Sequence, residues 1–165
     1  MHVILMAVGD DRPGLTKSLA DAIGEAEGNW LESHFATLGG KFVGSVLVEL
    51  PEHMVAQLEG AAGTMAASGF QVSVLPAAAA TPVGSKALSF ELVGADRPGI
   101  VRELSTALAR LGVSIDDLVT ETEEGAMFGG AIFRAKVRVA VPDGVSVDEV
   151  QTALEDISGE IMVDF

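Results

Sequence analysis

The chain has 165 residues, 48% of them hydrophobic, no cysteine, and a formal net charge of −14. Nucleic-acid affinity draws chiefly on Lys and Arg neutralising phosphates, so this acidity argues against direct DNA or RNA binding. The lack of cysteine removes disulfides, thiolate nucleophiles and Cys-ligated metals, which fits a reducing, cytoplasmic setting.

The N-terminus has no positively charged leader region, and its first apolar run, Val3 to Val8, is too short for a signal sequence. That run reads as a strand. It ends in Gly9, Asp11, Arg12, Pro13, Gly14, a Gly-x-Asp-Arg-Pro-Gly turn. After the turn, Leu15, Leu19, Ile23 and Ala26 recur at helical spacing, with Pro13 placed to occupy the first helical position, where its missing N–H is not needed. Gly28 ends this helix. Two extended segments follow, Trp30 to Leu38 and Phe42 to Leu50, joined at Gly39-Gly40 as a hairpin. A second helix is expected from near Pro51, with Met54, Leu58, Ala61 and Met65 on one side, and then a strand over Gln71 to Leu75. The stretch from Gly60 to Ser85 is uncharged, but Gly63, Gly69, Pro76 and Pro82 interrupt it, so no membrane span is expected.

The same order then repeats. Leu88, Phe90 and Leu92 mark a strand, and Gly94, Asp96, Arg97, Pro98, Gly99 restate the turn 85 positions after its first occurrence. Ile100, Leu104, Leu108 and Leu111 restate the helix, and Gly112 its end. A hairpin is expected over Ser114 to Glu123 and Ala126 to Val141. Ser146 and Glu149 form a Ser-x-x-Glu capping box for a helix carrying Val147, Val150, Leu154 and Ile157, and Glu160 to Phe165 supplies a last strand. The repeat therefore divides the chain into modules at 1–75 and 86–165, with 76–85 as a linker, Ala-rich and containing Pro76 and Pro82. Each module reads strand, helix, strand, strand, helix, strand. This is the α+β, ferredoxin-like βαββαβ arrangement, an antiparallel four-stranded sheet with two helices on one face. Modules of about 75 residues are marginal alone, so packing between copies or chains is expected, with a homodimer as the simplest outcome.

The repeated turn carries the chemistry. The start of a helix offers N–H groups without intrahelical partners, and Gly14 and Gly99 let a ligand approach them closely. Those groups suit a carboxylate. Asp11 and Asp96 sit where a side chain either caps the helix or faces a ligand ammonium. Both readings stand at this point, because Asp-x-Pro-Gly is also ordinary helix-start chemistry and a duplicated gene copies structural turns as faithfully as functional ones. Arg12 and Arg97 precede a helix start, where positive charge is mildly unfavourable; they are expected to be exposed, with an anion or partner role left open.

The paired Gly-x-Asp-Arg-Pro-Gly turns and the βαββαβ pattern in each half resemble ACT domains, and a freestanding pair resembles the glycine cleavage system transcriptional repressor family. The resemblance spans essentially the whole chain. It implies a non-enzymatic, amino-acid-sensing regulatory role, with a ligand of the glycine or serine class and a partner transcription factor in place of direct promoter contact. It places the ligand between the first strand-to-helix turn of one module and the start of the second strand of a neighbour. On this chain those positions are Asp11, Arg12, Pro13 and Gly14 with Asn29, and Asp96, Arg97, Pro98 and Gly99 with Ser114. Asn29 also follows Gly28 as an ordinary turn residue would. Ser114, shorter than Asn29, offers fewer contacts, so the two sites are expected to differ.

Other clusters offer less. His2, His34 and His53 lack metal-site spacing, no calcium loop accompanies Asp116, Asp117, Glu121, Glu123 and Glu124, and no P-loop or Ser-His-Asp set occurs, so no catalytic residue, metal or cofactor is assigned. Arg134, Lys136 and Arg138 alternate along one strand and are expected to pair with Glu121 and Glu123 or to form a docking surface for an acidic partner. Phe42 and Gly44, like Phe128 and Gly130, read as packing residues. Two alternatives remain: a ligand-free scaffold that dimerises through its sheets, and an acylphosphatase-like hydrolase using Arg12 and Asn29, for which the signature run of that family is missing.

Overall fold

The computed structural model describes residues 1–78, 85–125, 129–157 and 159–165. The chain divides into two compact units, Met1–Ala80 and Thr81–Phe165. In the first, β1 (His2–Asp10) leads to α1 (Leu15–Glu25), the hairpin β2 (Asn29–Leu38) and β3 (Lys41–Glu49), a 3-10 turn (Glu52–Met54), α2 (Val55–Ala67) and β4 (Gln71–Pro76). The second runs β5 (Ser85–Ala95), α3 (Ile100–Arg110), β6 (Ser114–Gly125), β7 (Gly130–Pro142), α4 (Val147–Glu155) and β8 (Met162–Asp164). Both sheets are antiparallel, ordered β2-β3-β1-β4 and β6-β7-β5-β8. The βαββαβ reading therefore holds in each half.

Alternation along the strands decides which face the helices cover. In β1, Val3, Leu5 and Ala7 are buried while Met6 and Val8 are exposed, as a period of two requires for a sheet covered on one side. Leu15, Leu19 and Ile23 of α1 and Leu58 of α2 join Val46 and Val48 of β3 in this core. The second core repeats it with Ile100, Leu104, Leu108, Val137, Val139, Val150 and Leu154. Each fully buried side chain of this size contributes roughly 1.5–3 kcal/mol relative to leaving it in water. The duplication extends to a register shift at the same place in both hairpins, between Trp30 and Glu32 and between Ile115 and Asp117.

Several boundaries differ from the sequence expectation. The second helix begins at Val55 because the 3-10 turn takes up Glu52–Met54. The last strand is confined to Met162–Asp164. Ala126, Met127 and Phe128 of the expected second hairpin lie outside the described residues, as do 79–84 of the expected linker. Gly44 does have the packing role expected of it. A Cβ there would run into the ring of Phe35 and the carbonyl oxygen of His34, so its lack of a side chain is what lets Phe35 stack on Phe42, with ring centroids 5.0 Å apart. Gly130 has no comparable neighbour and faces open space.

The uncovered sheet faces differ in chemistry. On the first, Met6, Val8 and Leu75 are 51%, 43% and 44% exposed and lie among polar neighbours such as His34, Ser45, Ser73 and Gln71. On the second, Arg134 pairs with Glu121 and Glu123 of β6, as the strand pattern predicts, and additionally with Glu91 of β5. Lys136 and Arg138 continue that row beside Val119 and Asp117.

Candidate functional site

Each turn closes the end of its module's first strand. The Asp11 N–H donates to the Gly40 carbonyl at 3.2 Å, and the Asp96 N–H to that of Ala131 at 2.8 Å, so the chain leaves the sheet at the same register in both copies. Gly14 and Gly99 then adopt φ of 94° and 88°, a left-handed conformation that a side chain disfavours, and the helices begin at Leu15 and Ile100. This corrects the expected role of Pro13. Pro13 and Pro98 stand before the glycine that occupies the cap position, and neither is the first helical residue. No side chain caps α1 or α3, so Asp11 and Asp96 do not serve as helix caps. By contrast α4 has the full capping box, with the Glu149 N–H donating to Ser146 Oγ at 3.2 Å and the Ser146 N–H to the Glu149 carboxylate at 2.8 Å. That pairing holds the Glu149 carboxyl below the usual glutamate range.

The turn residues are in reach of water. Asp11, Arg12, Pro13, Gly14, Asp96, Pro98 and Gly99 are exposed, and Arg97 is half-buried. Asn29 and Ser114, also exposed, open β2 and β6. Register shows that neither joins its own module's turn. Asn29 lies opposite Glu49, which lies opposite His2 at the start of β1, whereas the turn follows Asp10 at its end. The length of β1 separates them, roughly 25 Å at ~3.3 Å per residue. Ser114 is likewise opposite Ala140, which pairs with Ala87 near the start of β5. The Arg12 and Asn29 of an acylphosphatase-like reading thus do not converge within the module.

The two turns also differ electrostatically, and this escaped the reading of the motif alone. Arg97 donates to both carboxylate oxygens of Glu103 at 2.7 and 2.6 Å, a bidentate pair that spans the start of α3. It holds the Glu103 carboxyl below its usual range and raises the Arg97 guanidinium, which Glu160 also favours electrostatically. In the first module the position of Glu103 is taken by Ser18, whose Oγ donates to the Gly14 carbonyl at 3.0 Å, and the first turn of α1 has no acidic residue. Arg12 is exposed and makes no ion pair there. Its neighbour Asp10 pairs across the sheet with Lys41, which holds the Asp10 carboxyl below its usual value. The signal was the Ser-to-Glu difference six residues after each arginine. A cavity of about 360 Å³ beside the second turn was equally invisible in the sequence; Val93, Gly94, Ala95, Ile132 and Met162 line it, with Glu160. Among the described residues no cluster of His, Asp and Glu could hold a metal, and no helix is long and apolar enough to cross a membrane.

Two one-sided sheets, each with an uncapped helix start after its first strand, define a tandem of ferredoxin-like modules. The chain belongs to the ACT domain family, which matches residues 1–74 and again residues 89–159. The crystal structure of an unknown protein from Galdieria sulphuraria is 30% identical, with a TM-score of 0.79 over 99% of this chain and 96% of that one. That of a candidate glycine cleavage system transcriptional repressor shares the fold at 15% identity, with a TM-score of 0.73 over 99% of this chain and 95% of its own. No curated protein matched the sequence.

Proposed function

We propose that the protein is a non-enzymatic cytoplasmic regulator that binds a small amino acid of the glycine or serine class and passes its occupancy to a protein partner, a transcription regulator. One observation carries the reading: the chain gives α4 a full capping box yet leaves the starts of α1 and α3 without a side-chain cap at exposed glycine turns. The amides of Leu15, Thr16 and Lys17 have no intrahelical acceptor, and with the helix dipole they favour an anionic ligand group. A ligand carboxylate would lie on these amides and its ammonium would meet Asp11. Asn29, standing at the far end of its own sheet, would complete such a site on a second copy of the chain, and Ser114 holds the corresponding place in the second module. Binding one arrangement of modules better than another then shifts affinity for the partner. Module limits of 1–75 and 86–165 and a homodimer belong to the same proposal. Calorimetric titration of the full chain against the twenty amino acids tests it.

A second reading, a ligand-free scaffold that dimerises through its sheets, is favoured by the exposed Met6, Val8 and Leu75 on the first sheet. Light scattering would report a dimer under both readings, so the titration separates them.

A further inference from the structure

The two turns share a motif but not a charge balance, and the difference bears on which of them can hold a ligand carboxylate. In the second module the guanidinium that such a group would meet is already engaged, and the uncapped amides of α3 lie beside a carboxylate. The Arg97 guanidinium is gripped through both of its terminal nitrogens by Glu103, at 2.7 and 2.6 Å. The Glu103 carboxylate sits in the first turn of α3, where the helix dipole already favours it. Glu160 adds a further negative charge near Arg97 and borders the neighbouring cavity. An incoming carboxylate would meet two like charges and a guanidinium whose planar fork is matched to one carboxylate at a time.

The first module lacks the bidentate pair and the first-turn carboxylate. Ser18 stands where Glu103 does, its hydroxyl turned to the Gly14 carbonyl, and no acidic residue occupies the first turn of α1. Asp11 in the turn has its counterpart in Asp96, and Asp10, which also interacts electrostatically with Arg12, is paired with Lys41. Arg12 is left exposed beside an uncapped helix start.

We infer that Glu103 is a built-in occupant that closes the second turn to carboxylate ligands, leaving the first turn, with Arg12, as the single competent site of each chain. Residues 18 and 103 are the selectors. The inference rests on the amino-acid reading of the turns, and its test is arranged so that the two can fail separately.

The full chain is titrated calorimetrically with glycine, L-serine and the other amino acids, alongside Ser18→Glu and Glu103→Ser. The wild type is expected to bind one equivalent per chain, Ser18→Glu none, and Glu103→Ser two. In parallel, phenylglyoxal modification followed by peptide mass mapping compares the arginines without any ligand. Arg12 is expected to react several-fold faster than Arg97, and Glu103→Ser to bring Arg97 up to the rate of Arg12. Two equivalents on the wild type, or equal reactivity of Arg12 and Arg97, would overturn the closure and leave amino-acid sensing standing. Silence of the wild type toward all amino acids overturns both the sensing reading and the claim that the first turn is competent, whatever the arginines do. Circular dichroism on each variant confirms that a lost site is not a lost fold.

Discussion

Arg97 and Glu103 form a bidentate ion pair across the start of α3, and the residues at the same places in the first module, Arg12 and Ser18, form none. Duplication copied the turn, and one substitution a helical turn later changed its electrostatics. Because the pair lowers the Glu103 pKa, its stabilisation is fully present above the unfolded-state glutamate value, about 4.3, and is lost as pH falls through the lower folded-state value. Glu103→Gln should therefore melt below the wild type at pH 7. That gap should persist to about pH 5 and narrow toward pH 3. A gap that widens in acid would contradict the assignment.

Gly14→Ala should destabilise the first unit by roughly 1–2 kcal/mol, the cost of a left-handed conformation for an L residue. Nothing lies within 4 Å of the position its Cβ would take, so the loss comes from backbone strain and not from crowding. Gly14→Asn should lose less, since asparagine tolerates this region better. Equal melting of Gly14→Ala and wild type would mean that the turn adopts another conformation. For a ligand test the consequence is practical: a bulky residue at Gly14 would disturb the backbone as well as the site.

Gly44→Ala should cost about 1–3 kcal/mol, typical of forcing a carbon into a filled core. The added carbon meets Phe35, whose ring centroid is 5.9 Å from that of Trp30, the chain's one tryptophan. Intrinsic fluorescence should shift with the loss of stability. Phe35→Ala in the same chain should recover part of the loss; full additivity of the two changes would contradict the packing.

The sheet-and-helix order was legible because the same apolar periodicities occur twice, and the capping box of Ser146 and Glu149 was visible as a four-residue pattern. Local chemistry sufficed there. The helix start was misplaced at Pro13 because proline at the first helical position and glycine at the cap are both sound local rules, and only the backbone conformation of Gly14 chooses between them. The distance between Asn29 and its own turn is a matter of strand order, which no local pattern contains. The Arg97–Glu103 pair depends on the guanidinium folding over the helix start, so it emerged only with side-chain geometry.

Ser146→Ala should lower the stability of the second unit by roughly 0.5–2 kcal/mol, the usual range for losing such a cap. Chemical denaturation measures this directly. An unchanged midpoint would mean that α4 starts elsewhere.

On the proposed reading, the exposed turn after the first strand receives an amino acid. Calorimetric titration of the intact chain with glycine, L-serine and the remaining amino acids tests it most directly. Saturable binding of a small amino acid is expected, abolished by removal of the Asp11 carboxylate in Asp11→Ala. Absence of heat with every amino acid, or binding indifferent to Asp11→Ala, would contradict it.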